Sequence, residues 1–175
     1  YDLSEKKFVK FKGQEQELNG WMIKPKDFDP SKKYPVYIHI YGGPGHNTVS
    51  DSWGSVDYMY EQLLAQNGYI VVSVDPRGTM YRGAEFKKST YLELGKLETE
   101  DFIAVAKELK TYDYVNGDRI GIMGWSYGGF MTSLAMTKGA DEFKMGIAVA
   151  PVTNWRYYDN IYTERFMRTP AENES

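Results

Sequence analysis

Residues 119–138, R-I-G-I-M-G-W-S-Y-G-G-F-M-T-S-L-A-M-T-K, limit the possible folds of this chain more than any other stretch. The run 119–123 is short and rich in β-branched residues, as a buried strand is. Residues 128–138 read as a helix that Gly139 ends. Between them Gly124-Trp125-Ser126-Tyr127-Gly128 must reverse the chain within a few residues. Glycines at 124, 128 and 129 remove the Cβ atoms that would collide in so tight a turn.

The same alternation recurs along the chain. Apolar runs at 36–41, 69–74, 119–123 and 145–150 suit strands of a parallel sheet covered on both faces. Helical patterns lie between them at 58–66, closed by Asn67-Gly68, and at 100–110. In the latter Phe102, Val105, Ala106 and Leu109 share one face, Thr99 is the expected cap, and Glu100 and Asp101 occupy the first turn. Upstream, 8–11 and 18–23 alternate as a half-exposed hairpin does. Strands alternating with helices predict an α/β layered fold, a mostly parallel sheet with helices on both faces joined by right-handed crossovers.

Composition narrows the function. At 175 residues, 42% hydrophobic and 26% charged, the chain has the makings of one globular domain. A net charge of -3 and no basic stripe argue against nucleic acid or an anionic membrane as a partner. There is no cysteine, which removes thiol chemistry and thiolate-bound zinc. No apolar run approaches the roughly 18 residues of a membrane-spanning helix, and the first residues contain neither a basic segment nor an apolar signal core. His39 and His46 lack acidic neighbours at metal-ligand spacing, so no catalytic metal site is expected, and no motif assigns a cofactor.

Ser126 is the candidate nucleophile. The G-x-S-x-G spacing is weak by itself, but it sits between a strand and a helix, the setting of a nucleophile elbow. There the side chain projects above the sheet, close to the unpaired N–H groups of the helix N-terminus. Tyr41-Gly42-Gly43-Pro44-Gly45 ends the first parallel strand, where a glycine-rich loop can complete an oxyanion hole. A free serine hydroxyl is a poor nucleophile and needs a base, which in turn needs an orienting acid. Both histidines precede Ser126, whereas this fold orders its triad Ser, Asp or Glu, His. His39, inside a strand, reads as structural, and His46 as solvated or lining the cleft. Asp141, Glu142, Asp159 and Glu164 do not follow a further strand. Arg77 is expected in a structural ion pair with a carboxylate such as Asp101 or Glu164.

Tyr41-Gly42-Gly43-Pro44, Asp75-Pro76-Arg77-Gly78, Gly124-Trp125-Ser126-Tyr127-Gly128-Gly129, Ala150-Pro151-Val152 and the run from Trp155-Arg156-Tyr157-Tyr158 to Tyr162-Thr163-Glu164-Arg165 together resemble the catalytic domain of the prolyl oligopeptidase family, in its dipeptidyl peptidase IV-like branch. The resemblance covers essentially the whole chain. It implies an incomplete α/β-hydrolase fold, with residues 1–175 as the N-terminal part of the domain. A β-propeller, the last strands, and the triad's Asp and His are then expected outside it. It implies Ser126 as nucleophile, with the Tyr41 hydroxyl and the Tyr127 backbone N–H as oxyanion donors. Tyr127, Val152, Trp155, Tyr158 and Tyr162 would form a pocket for a proline side chain. The last three aromatics fall at i, i+3, i+7, so one face of one helix is expected to carry them.

The implied activity is release of N-terminal dipeptides after a penultimate Pro or Ala. Tripeptidyl and acylaminoacyl peptidases of the same family are the alternatives. The resemblance also implies a homodimeric parent and a periplasmic, cell-envelope or secreted setting. Alone, the 175-residue chain is expected to be a non-catalytic folding or association module that self-associates through an exposed sheet edge at 145–150.

Overall fold

Apolar β-branched runs form the centre of a six-stranded sheet. The computed structural model describes residues 2–54 and 56–173; residues 1, 55, 174 and 175 of the expected domain lie outside them. The strands are β1 (Lys6–Lys12), β2 (Glu17–Ile23), β3 (Tyr34–Ile40), β4 (Ile70–Asp75), β5 (Val115–Trp125) and β6 (Met145–Val149). Their order in the sheet is β1-β2-β4-β3-β5-β6. The hairpin β1–β2 joins β4 antiparallel, whereas β4, β3, β5 and β6 run parallel. The expected mostly parallel sheet is therefore present, with the antiparallel hairpin joined to it.

The period of two along each strand splits the core between the two faces. Ile70, Val72 and Val74 of β4 join Val36 and Ile38 of β3 on one side, while Val71, Tyr37, Trp21 and Ile23 face the other. Helix α1 (Val56–Gln66) covers the second side through Ala65 and Leu64. Helices α3 (Lys96–Lys110) and α4 (Tyr127–Lys138) cover the first through Phe102, Val105, Leu109, Met131 and Ala135. A short helix, α2 (Ala84–Lys88), buries Phe86 under the same face.

This winding creates a switch point. After β3 the chain leaves through α1 toward β4, and after β5 it leaves through α4 toward β6 on the opposite side. Two adjacent parallel strands whose connections diverge leave a crevice at their C-terminal ends, where ligands of open α/β sheets bind. Tyr41 follows β3, and Ser126 follows β5. The crevice is thus flanked by the two residues that the motifs single out.

Two expectations need correction. Helix α3 starts at Lys96, so Thr99 is no cap: Gly95 is the N-cap with φ 97°, a conformation that favours glycine, and the Thr99 hydroxyl donates back to the Gly95 carbonyl at 2.5 Å. Glu98 does the capping, accepting the Gly95 N–H at 3.0 Å. Nor do Trp155, Tyr158 and Tyr162 lie on one helix. Trp155–Tyr157 form a single 3-10 turn, Tyr158 is extended, and α5 (Asn160–Met167) begins anew. The Asp159 carboxylate accepts the Tyr162 N–H at 2.8 Å and starts that second helix, which overrides the continuous pattern.

At the sheet's edge β6 pairs, among the described residues, only with β5, and Met145 and Ile147 are exposed. Among the described residues no helix is long and apolar enough to cross a membrane.

Candidate active site

Ser126 adopts φ 58° and ψ -113°, a conformation that side-chain-bearing residues disfavour by about 1–3 kcal/mol. What holds it there is the backbone on both sides. The Ser126 N–H donates to the Val149 carbonyl at 2.9 Å, and its own carbonyl accepts the Phe130 N–H at 3.0 Å. Gly124 and Gly128 make the turn possible: a Cβ on Gly124 would lie 2.4 Å from the Gly128 carbonyl, and one on Gly128 would lie 2.5 Å from the Ile40 carbonyl oxygen. No side chain could give way there, because the obstructing atoms are main chain. The serine is therefore forced up at the C-terminal edge of the sheet, half-buried, at the start of α4.

Beside it, Tyr41 stands at the end of β3, with its ring edge-on to His46 at 4.6 Å and 6.0 Å from the ring of Tyr127. Gly43 lets these two rings approach, since a Cβ there would strike both. Burial raises the Tyr41 phenol above its ordinary value of 10, with a further push from Tyr158, so at neutral pH it remains a hydroxyl able to donate. The loop after it is fixed by Asp75 at the end of β4. Its carboxylate accepts the Asn47 side-chain amide at 2.9 Å, the Thr48 N–H and hydroxyl at 2.8 and 2.9 Å, and the Val49 N–H at 3.1 Å.

The aromatic residues converge on the other side. Trp155 lies 5.7 Å from Tyr127, perpendicular to Phe130 at 5.4 Å and stacked with Tyr162 at 5.8 Å. Tyr158 meets both Trp155 and Tyr162 edge-on. Val152 is half-buried on the connection between β6 and this wall. Although the helical rationale fails, the structure brings the expected aromatic set together. Phe130 and Phe166, which the sequence reading left out, belong to the same cluster.

A further participant is Glu98, fully buried at the start of α3. It accepts the Tyr127 hydroxyl at 2.5 Å. Desolvation raises its carboxyl to about 7, against the lowering effect of hydrogen bonds from Tyr127, its own N–H and Gly95. Helical spacing held the signal: Glu98, Asp101, Phe102 and Val105 stand at i, i+3, i+4, i+7, so two carboxylates share the buried face of α3. Asp101 is the partner of Arg77, whose Nε lies 3.0 Å from it, with Glu15 and Glu100 at 3.0 and 3.5 Å. Arg77 is thus in a structural network with Asp101, and Glu164 is not part of it.

Neither histidine serves Ser126. Among the described residues Ser126 Oγ makes no hydrogen bond, His39 Nδ1 lies 2.8 Å from Glu61, and His46 packs on Tyr41. Both line a cavity of about 290 Å³ with Tyr41 and Trp125. A larger cavity, about 470 Å³ between Phe28, Tyr114 and the β1–β2 hairpin, contains no residue of the candidate site. No cluster of side chains suited to a metal is found among the described residues.

Comparisons with known proteins identify the family. The profile of the prolyl oligopeptidase family matches residues 54–175. The chain is 50% identical over 152 residues to "Probable dipeptidyl-aminopeptidase B" of Ajellomyces dermatitidis, covering 86% of this chain and 16% of that protein. It is 47% identical over 157 residues to the protein of the same name from Grosmannia clavigera, covering 89% and 16%. The crystal structure of Porphyromonas gingivalis dipeptidyl peptidase 4 superposes with a TM-score of 0.95 at 49% identity, over 100% of this chain and 25% of that one. The chain therefore spans a small part of its relatives' length. On the family profile, the shared fold and this identity, the chain belongs to the prolyl oligopeptidase family.

Proposed function

We propose that the protein containing this chain is a serine peptidase that releases N-terminal dipeptides after a penultimate Pro or Ala. The observation that carries the reading is Ser126, held at a disfavoured φ between two glycines at which a Cβ would collide with main chain, at the switch point beside Tyr41. The names of the relatives described above, dipeptidyl-aminopeptidase B and dipeptidyl peptidase 4, support the substrate class.

In this reading Ser126 Oγ attacks the carbonyl carbon after the second residue. The Tyr41 hydroxyl and the Tyr127 N–H donate to the resulting oxyanion, each such donor contributing about 3 kcal/mol to transition-state stabilisation. Collapse expels the amine of the shortened peptide, to which the base returns the proton taken from Ser126, and leaves the dipeptide as an ester on Ser126, which water then hydrolyses to restore the hydroxyl. Trp155, Tyr158, Tyr162, Tyr127 and Val152 offer the pyrrolidine ring flat, apolar walls. The base that takes the Ser126 proton and its orienting acid are assigned to the remainder of the protein, along with the β-propeller. Dimerisation of that protein and a periplasmic, cell-envelope or secreted setting rest on the family resemblance alone.

The test uses the full-length protein and a Gly-Pro anilide. The expected result is turnover in the wild type, blocked by a serine-directed phosphonate, and its loss in Ser126→Ala. Unchanged turnover in that variant overturns the assignment. Efficient cleavage of tripeptidyl or N-acylated substrates in place of the dipeptide favours the other members of the family.

Ser126 Oγ, which has no hydrogen-bond partner among the described residues, supports a second reading for the 175-residue chain alone: it folds or associates without turning over substrate. Its exposed β6 edge offers unpaired backbone groups to a second copy. Peptidase activity of the isolated chain contradicts the first part, and monomer-only light scattering at high concentration contradicts the second.

A further inference from the structure

A fully buried carboxylate with no cation against it needs an explanation, because desolvating it is costly and no ion pair offsets that cost. Among the described residues Glu98 is such a group. Its two oxygens have separate partners: one accepts the Gly95 N–H at 3.0 Å, which starts α3, and the other accepts the Tyr127 hydroxyl at 2.5 Å. Capping the helix requires only one oxygen. The second reaches across from α3 to α4 and holds the residue next to Ser126.

Tyr127 stands where the parts of the site meet. Its N–H is the proposed oxyanion donor, and its ring lies 6.0 Å from Tyr41, 5.5 Å from Phe130 and 5.7 Å from Trp155. The ring is buried, and the hydroxyl at its far end has the Glu98 carboxylate as its acceptor. A short hydrogen bond to a carboxylate is about twice as strong as one between neutral groups and fixes direction as well as distance. We propose that Glu98 is a positioning residue: by holding the Tyr127 hydroxyl it keeps the Tyr127 N–H and ring in register with Ser126 during acylation. This rests on the serine-peptidase reading above.

The other titratable groups facing Glu98 are Asp101 on its own helix and the Tyr162 hydroxyl from α5, both of which interact with it electrostatically. Neither supplies a cation. Tyr127 is therefore the only side chain among the described residues recorded as donating to Glu98.

The experiment compares wild type, Glu98→Gln, Glu98→Ala, Tyr127→Phe and the double variant Glu98→Ala/Tyr127→Phe in the full-length protein. It reads the rate of Ser126 labelling by a fluorophosphonate, kcat and KM on a Gly-Pro anilide, and Tm. Glu98→Ala and Tyr127→Phe are each expected to slow labelling and kcat by about 10- to 100-fold, the scale of a small misplacement of reacting groups, with KM changed less than about 3-fold. The double variant is expected to be no slower than the slower single one, because both remove the same contact. Glu98→Gln keeps a carbonyl acceptor for Tyr127 and is expected to recover most of the rate. Additive losses, or lowered Tm with wild-type labelling rates, overturn the inference and leave a capping residue only. If Glu98→Ala does not fold, a wild-type labelling rate in Tyr127→Phe overturns it equally. Wild-type protein that is not labelled at Ser126 overturns the peptidase reading, and this inference with it.

Discussion

The elbow around Ser126 and the aromatic wall from Trp155 to Tyr162 are built by opposite means. At the elbow, main chain meets main chain: glycines touch carbonyl groups, Ser126 is tied to Val149 and Phe130 through its backbone, and Tyr127 is buried. The wall consists of side chains on a single 3-10 turn, on the extended residue Tyr158 and on a helix of eight residues. Tyr158 is 39% exposed, and Trp155 Nε1 and the Tyr162 hydroxyl have no hydrogen-bond partner among the described residues. On the proposed reading, chemistry that tolerates no displacement sits where the backbone is locked, and recognition sits on side chains that are more exposed or lack polar partners.

That contrast can be broken at several points. The largest effect is expected from Gly128→Ala, whose new methyl group meets the Ile40 carbonyl at 2.5 Å. Fluorophosphonate labelling of Ser126 should fall by about 10²-fold or more, as expected when a nucleophile is displaced by an ångström. Labelling at the wild-type rate would show that the elbow is not backbone-locked. Next, Tyr41→Phe should lower kcat by roughly 10²- to 10³-fold with Tm nearly unchanged, the loss expected for one oxyanion donor.

A third measurement concerns pH. The Glu98 carboxyl rises from its ordinary 4.5 to about 7, mainly through desolvation, so the folded state binds this proton more tightly than the unfolded chain does. Its contribution to stability is fully present below about 4.5 and is lost as pH climbs through about 7. Glu98→Gln has no such titration. From pH 5 to pH 8 the stability difference should therefore move in favour of the variant by an amount on the order of 2 kcal/mol, read from denaturant melts. A difference that is flat across this range would contradict the buried, uncompensated carboxylate.

On the wall the effects should be smaller and of another kind. Trp155→Ala should leave labelling within a few-fold while reducing the preference for Pro over Ala before the cleaved bond by roughly 10-fold, measured as a ratio of kcat/KM values. Equal losses on both substrates would place Trp155 with the rigid half. The smallest effect is expected for Tyr157→Ser, because that side chain is 89% exposed: stability should stay within about 0.5 kcal/mol in a thermal melt.

The two regions also differed in how much of them could be read from the sequence. The elbow was legible because its determinants are local: strand period, three glycines and a helix pattern lie within about twenty residues. The wall's membership was legible through resemblance, but its shape was not. Spacing of i, i+3, i+7 implied one helix, and the Asp159 cap divides it. Other misses are non-local. The hairpin pairs with β4, Asp75 gathers a loop 26–28 residues upstream, and His39 finds Glu61 across 22 residues. Alternating hydrophobicity does not encode such pairings. Glu98 is different: its place on the buried face of α3 was readable from periodicity, but its partner Tyr127, 29 residues away, was not.

The conformation of Ser126 has one more consequence. A residue with a side chain is kept at φ 58°, where glycine would rest without penalty. Ser126→Gly should therefore yield a protein that cannot acylate yet resists unfolding better than its parent. On the proposed reading, catalysis and durability make opposite demands on this single position, so a screen for thermal resistance alone would select against the proposed nucleophile.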